Sequence, residues 1–398
     1  MKGPFGLIKK ILFFVKTRGV RGIKNTIDNA YGNADITEYY SWITNNDEIK
    51  LIPEEKEKFK NQTIVNWIIP DIVKGSGGHT TILRFVSMLE KMGLHNRVYL
   101  FASSRFETDE EFRKFLTENF ALDIPNSGIE AFCNTEKVQY ANVTIATGWQ
   151  TAYFVRRFNN TDKKYYFVQD FEPAFYPLGS KYIFAENTYK FGFEGITAGD
   201  WLKDKLNKEY GMKTQSFSFS YDKEVYAPKE KRDNKKRIFF YARPTTDRRA
   251  FELGLLALNE IHKKDSDIEI VFAGFDVSNY IIPFKHINAG LLTGSELADY
   301  YSQSDICIIM SLSNLSLLPL EIMACNSVVA TGKGENNEWL VNNENAILFK
   351  NEPNDIAEKV LHYLNKPEEL NRIRENGLKC AKETDWLKEA SKIRDLII

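Results

Sequence analysis

Asp305-Ile-Cys-Ile-Ile-Met-Ser-Leu-Ser-Asn-Leu-Ser-Leu-Leu-Pro-Leu-Glu-Ile-Met-Ala-Cys-Asn-Ser-Val-Val-Ala-Thr331 contains two continuous apolar runs, Ile306 to Met310 and Val328 to Ala330. Strands covered on both faces lack the alternation of half-exposed ones, so these runs predict buried parallel strands and an α/β fold. Between them, Pro319 suits the first turn of a helix and Glu321 follows it. A carboxylate there lies beside unpaired backbone N–H groups, where the helix dipole favours its ionised form and where open α/β sheets gather ligands. That geometry suits gripping a sugar diol. The plainer alternative is an ordinary strand-loop-helix turn with an N-terminal acid.

Upstream, Arg237 to Ala242 and Ile268 to Gly274 repeat the strand pattern. The first of these runs into Arg243-Pro-Thr-Thr-Asp-Arg-Arg, which places Arg243 and Arg248 five residues apart before a predicted helix over 249–261. A guanidinium fork binds phosphate oxygens bidentately, and two forks can neutralise the charge that builds on a departing diphosphate. A solvated basic turn is the alternative. Ala289 to Gly294 reads as a loop that offers backbone to a nucleotide base, and the charged segment 222–236, without apolar periodicity, reads as an interdomain linker.

A second strand-loop-helix unit starts at Ile64 to Ile69 and passes Gly75, Gly77 and Gly78 before the helical periodicity of Ile82, Phe85, Val86 and Leu89. Glycines let a backbone approach a ligand closely and aim N–H groups at an anion from the helix N-terminus. The spacing matches neither the dinucleotide fingerprint nor the Walker pattern, which disfavours nicotinamide and ATP. His79 on the same loop is a candidate substrate contact, although a lone loop histidine is more often a bystander. Strand candidates at 97–102, 143–146, 165–168 and 195–198 alternate with helical stretches 110–119 and 149–158, which predicts a parallel sheet with helices on both faces. Phe167 to Ser180 follows a strand's C-terminal end and sets Asp170 and Glu172 among Phe167, Phe171, Phe175 and Tyr176. Carboxylates hydrogen-bond sugar hydroxyls and rings cover their apolar faces, so the composition is that of a carbohydrate subsite. The alternative is that Asp170 caps a turn and the rings fill a core.

At 398 residues and 43% hydrophobic, the chain exceeds one ordinary core and predicts two domains. A formal net charge of -1 argues against a nucleic-acid partner. Cys133, Cys307, Cys325 and Cys380 form no Cys-x-x-Cys pair, which fits reduced cytosolic thiols, and the five histidines show no metal-ligand spacing. Residues 1–24 interleave basic residues with Phe5, Leu7, Ile8, Ile11, Leu12, Phe13, Phe14 and Val15. That stretch is too short to span a bilayer, and it reads either as a basic amphipathic helix on an anionic membrane or as a helix packed on its own domain. From Asn354 onward the chain reads as helical, and its closing apolar residues point to a last helix that packs.

Pro319-Leu-Glu-Ile-Met-Ala-Cys325 resembles the donor-site motif of GT-B glycosyltransferases of the retaining family 4. The resemblance implies two Rossmann-like domains facing across a cleft: a basic arm over 1–62, an acceptor domain over 63–225, a nucleotide-sugar domain over 226–380, and a helix over 381–398 that crosses back. It implies that Glu321 holds the ribose hydroxyls, that Arg243, Arg248, Gly77 and Gly78 meet the donor diphosphate, and that no metal cofactor is required. Arg248 stands where the family has lysine. Ser313 stands where the family has the first of two glutamates, and Ser313 and Asn314 are left as sugar contacts. Gln169-Asp-Phe-Glu-Pro173 with Tyr176-Pro-Leu-Gly179 looks like bacterial rhamnosyltransferases that build cell-surface rhamnans. From this follow Asp170 and Glu172 as catalytic candidates, and His79, Phe171 and Tyr176 as acceptor contacts. The same likeness implies dTDP-rhamnose as donor, a glycan or lipid-linked glycan as acceptor, and a place at the cytoplasmic face of the membrane. A nucleotide-sugar epimerase and a non-catalytic glycan-binding protein of the same fold are the competing expectations.

Overall fold

The computed structural model describes residues 35–103, 105–120 and 128–398, so the basic segment 1–24 lies outside the described residues. The first domain is a seven-stranded parallel sheet: β1 (Ile64–Ile69), β2 (His95–Leu100), β3 (Glu130–Phe132), β4 (Ala141–Ala146), β5 (Thr161–Val168), β6 (Glu194–Ala198) and β7 (Thr214–Phe217), in the order β3-β2-β1-β4-β5-β6-β7. The second is a six-stranded parallel sheet: β8 (Arg237–Tyr241), β9 (Glu269–Ala273), β10 (Ile287–Gly290), β11 (Ile306–Ile308), β12 (Val328–Gly332) and β13 (Ala346–Phe349), in the order β10-β9-β8-β11-β12-β13.

Apolar side chains on both faces bury the central strands. Every residue of β1, β11, β12 and β13 is buried, as expected of strands with helices above and below. The order of each sheet reverses once, between β1 and β4 in the first and between β8 and β11 in the second. Ligand crevices of open α/β sheets form outside the carboxyl ends of the strands at such reversals. Glycine lets the second sheet be covered closely: a Cβ on Gly254 of the helix Phe251–Lys264 would come within 2.3 Å of the Phe240 ring on β8.

The segment 222–236 is less free than its charge suggested. Tyr226 is buried, the Lys229 amide donates to Ser302 Oγ at 3.2 Å and the Arg232 amide to Gln303 Oε1 at 2.9 Å, so the linker is laid along the second domain. The helical C-terminus ends in two helices, Pro367–Lys382 and Trp386–Ile397, so the last helix starts five residues after the expected 381. The break is made by Asp385, whose side chain caps the amides of Leu387 and Lys388. The last helix crosses to the first domain. Its Trp386 ring meets Phe85 edge-on at 5.5 Å, Glu389 accepts from the Ser218 amide at 2.9 Å, and the Leu396 carbonyl accepts from the Tyr165 hydroxyl at 3.1 Å. All four cysteines are free thiols, and three of them are buried.

Candidate functional site

Four connections meet between the domains: those after β1 and β5 on one side, and those after β8 and β11 on the other. After β1, Ser76 caps the helix Gly77–Lys91 by accepting from the His79 amide, which leaves Gly77 and Gly78 at the head of that helix. A Cβ on Gly77 would lie 4.0 Å from Ser316 Oγ of the opposite domain, and one on Gly78 would lie 3.5 Å from Gln169 Nε2. Both are ordinary contact distances, so the two glycines line the gap without being required by its width.

Within the first domain Gln169 Nε2 donates to the Gly78 carbonyl at 3.0 Å, which ties the two loops of that side together. Across the gap Asn314 Nδ2 of the second domain donates to the Gln169 carbonyl at 3.0 Å. Ser313 Oγ donates to Asp170 Oδ2 at 2.9 Å, and Arg248 Nε lies 3.6 Å from the same oxygen. The Phe171 amide donates to Asp170 Oδ1 at 2.8 Å. Burial pushes the Asp170 carboxyl above its ordinary value, and Arg248 and then Arg249 pull it back. The arginine loop is tied to the Ser313 loop by the Leu312 amide, which donates to the Arg248 carbonyl at 2.9 Å. Arg243 Nη1 donates to the Gly274 carbonyl at 3.2 Å. The structure thus brings Asp170, Ser313, Asn314, Arg248, Gly77 and Gly78 together.

Glu172 faces the other way. Its Oε2 accepts from the Trp149 amide at 2.7 Å and its Oε1 from the Tyr166 hydroxyl at 2.8 Å, both within its own domain. The Trp149 amide opens the helix Trp149–Arg157, so Glu172 serves a helix N-terminus from another loop. Burial pushes its carboxyl up to about 7. Phe171, expected at the acceptor face, is buried with its ring stacked on Tyr189 at 5.8 Å. The Tyr176 hydroxyl accepts from Trp149 Nε1 at 3.1 Å. It is Phe175 that presents a ring to the gap, 37% exposed and 4.1 Å from the Arg248 guanidinium. Burial lowers His79 to about 4, so its ring is neutral at neutral pH, and its Nδ1 is sealed without a hydrogen-bond partner.

Glu321 sits in the first turn of the helix Leu318–Ala324, where Pro319 occupies an early position as its sequence context predicts. Burial raises its carboxyl to about 7, while a hydrogen bond with Tyr226 and the charge of Arg84 hold it lower than burial alone would. Arg84 comes from the opposite domain, with its guanidinium 5.0 Å from the Trp386 ring. Neither Arg84, Tyr226 nor Arg249 was singled out from sequence. Arg249 was adjacent to a chosen residue, whereas Arg84 lies on a helix whose periodicity spoke only for packing. Among the described residues, no group of three or more His, Cys, Asp or Glu side chains is arranged to hold a metal ion, and no helix is long and apolar enough to cross a membrane.

Residues 64–198 match the family described as WsaF, N-terminal domain, and residues 236–361 match WsaF, C-terminal domain. The chain is 30% identical over 258 residues to the O-antigen biosynthesis protein RfbC of Myxococcus xanthus, covering 63% of this chain and 20% of that protein. It thus spans about a fifth of the length of that curated relative. Among solved structures it is similar to Anabaena HepE in complex with UDP and glucose, with a TM-score of 0.65 at 12% identity, covering 84% of this chain and 99% of that one. It is equally similar to a variant of S. aureus TarM in complex with fondaparinux, alpha-GlcNAc-glycerol and UDP, with a TM-score of 0.65 at 9% identity and the same coverages. With both WsaF domains matched in chain order over well over half of its length, the chain belongs to the WsaF family and has the two-domain GT-B fold.

Proposed function

We propose that the protein is a glycosyltransferase that moves a sugar from a nucleoside-diphosphate donor onto a growing bacterial cell-surface glycan. The observation that carries this reading is the meeting of Asp170 from one domain with Ser313 and Arg248 from the other, at the carboxyl ends of both sheets. In the reaction, the bond between the anomeric carbon and the diphosphate oxygen breaks and its electron pair stays on the diphosphate. Arg243 and Arg248 meet that charge, with the Gly77 and Gly78 amides beside them, so no metal is required. Asp170 takes the proton of the acceptor hydroxyl as its oxygen bonds the anomeric carbon. Glu321 holds the ribose hydroxyls, and Ser313 and Asn314 contact the donor sugar. Glu172 holds the loop that carries Asp170. His79, Tyr176 and the exposed Phe175 border the acceptor side, while Phe171 supports them from within the domain.

The donor we propose is dTDP-rhamnose, transferred with retention. Ser313 in place of an acid suits a sugar with one hydroxyl fewer, and Gln169 to Pro173 resembles rhamnosyltransferases of cell-surface rhamnans. The name of the RfbC relative, an O-antigen biosynthesis protein, supports a glycan acceptor, free or lipid-linked. The basic, apolar residues 1–24 support work at the inner face of the membrane. Calorimetric titration with a panel of nucleoside diphosphates, run on the wild-type chain and on Glu321→Ala, tests the proposal. Micromolar binding of one diphosphate, weakened at least tenfold in the variant, is expected. Binding of none would sink it and favour a glycan-binding protein of the same fold.

A further inference from the structure

Arg248 and Arg249 lie together on a short 3-10 turn, Asp247–Arg249, which ends at Ala250 in a left-handed conformation with φ 44°. That sharp turn sends the chain into the helix Phe251–Lys264, with Arg248 Nε 3.6 Å from Asp170 Oδ2 of the opposite domain and Arg249 also within reach of the Asp170 charge. Arg249 Nη1 is sealed from solvent without a hydrogen-bond partner, and so is Arg248 Nε. The charges that act on Arg249 are those of Arg248, Arg243 and Asp170, with the Tyr241 hydroxyl nearby. Burial and the two like charges hold its guanidinium below the ordinary arginine value.

Arg248 and Arg249 both act on Asp170, and Arg243 acts on each of those two, so three guanidinium groups gather beside one carboxylate. The next acid along the loop, Glu172, has its oxygens bonded by the Trp149 amide and the Tyr166 hydroxyl, and Asp247 is exposed to solvent. The cluster carries two positive charges in excess, partly out of water, where unpaired charge is costly. It fits an anion with two negative charges. The diphosphate bridge of a nucleotide-sugar carries one on each phosphoryl group.

We infer that Arg249 is a third guanidinium ligand of the donor's diphosphate, and that Asp170 sets the charge balance of the three. The inference rests on the transferase reading given above. In the donor complex, ionised Asp170 leaves two positive charges against two negative ones. During transfer the departing diphosphate gains a third negative charge with the electron pair of the broken anomeric bond. The acceptor's proton moves to Asp170 and removes its negative charge, so three guanidinium groups then face three negative charges. Proton acceptance by Asp170 and stabilisation of the leaving group become one event.

Calorimetry on the full chain with the nucleoside, monophosphate and diphosphate of whichever base it binds tests this on Arg249→Gln and Arg249→Lys. Arg249→Gln should lose at least tenfold in diphosphate affinity, keep nucleoside affinity within about twofold, and melt close to wild type, because it removes a like charge beside Arg248 and Arg243 and a guanidinium nitrogen that lacks a hydrogen-bond partner. Arg249→Lys, which keeps the charge without the fork, should lie between the two. Unchanged diphosphate affinity in folded Arg249→Gln overturns the inference alone, as does an equal loss for nucleoside and diphosphate. Absence of diphosphate binding by wild type overturns the transferase reading along with it.

Discussion

Asp170 and Glu172 stand one residue apart, yet one belongs to the cleft and the other to the interior of the first domain. Both are carboxylates raised by burial. Glu172 is bonded by two groups of its own domain, the Trp149 amide and the Tyr166 hydroxyl. Asp170 is bonded by Ser313 and approached by Arg248, both from the opposite domain. What separates them is the origin of their partners: an acid satisfied within its domain holds a loop in place, while one satisfied across a cleft can exchange those partners for a ligand.

The largest test of this contrast is stability. Glu172→Ala leaves the buried Trp149 amide and Tyr166 hydroxyl without acceptors, at a cost of about 4 kcal/mol for the two. Asp170→Asn should cost less, about 2 kcal/mol at most, since asparagine keeps an acceptor for the Phe171 amide and a donor that the Ser313 hydroxyl can accept from. It should nevertheless reduce sugar transfer at least a hundredfold. Urea unfolding of the two variants measures the first pair of values and a transfer assay the last. Equal destabilisation by both substitutions would break the comparison.

Acidity supplies the next test. The Glu172 carboxyl stands at about 7 in the folded protein against an ordinary value of 4.5. Between those values the fold holds a proton that the unfolded chain has lost, so stability falls as pH rises through this window. The loss reaches about 3 kcal/mol above pH 7 and is absent below pH 4.5. Glu321, raised to about 7 by burial as well, adds a like share. His79, lowered to about 4 by burial, works the other way, its neutral ring stabilising the fold as pH rises to 6.5. Glu172→Gln and Glu321→Gln should each lift stability above pH 7 by about 3 kcal/mol relative to that below pH 4.5, the first with nucleotide affinity unchanged and the second with it weakened. A pH slope untouched by Glu172→Gln would place the titration elsewhere.

The sequence made the strands legible where burial is two-sided. Ile64–Ile69 was bounded to the residue, because an apolar run covered on both faces announces itself without neighbours. β3, β7 and β10 were not, being sheet-edge strands of three or four residues with Glu130, Gln215 and Asn288 among them. The loops of the site were legible from glycine, arginine and acid at strand ends. Which side chains meet across the gap was not. Arg84 acts on Glu321, and Ser313 bonds Asp170, over separations that no local pattern encodes. Phe171 and Phe175 look alike in sequence, and only the packing of Tyr189 behind the loop sends one ring inward and leaves the other at the gap.

The smallest expected effect sharpens the contrast most. Ser313 Oγ donates to Asp170 Oδ2, and such a bond favours the ionised carboxylate. Ser313→Ala removes about 1 kcal/mol of that preference, so Asp170 should titrate higher by less than about one pH unit. The acid limb of the transfer rate against pH should move up by that amount, and the unfolding free energy at neutral pH should fall by no more than about 1 kcal/mol. A fallen midpoint with an unmoved limb would mean that the serine merely fastens the domains together. An upward shift of the limb would mean that a residue of the donor domain tunes the acid of the acceptor domain, a property that Glu172, bonded entirely from its own side, lacks.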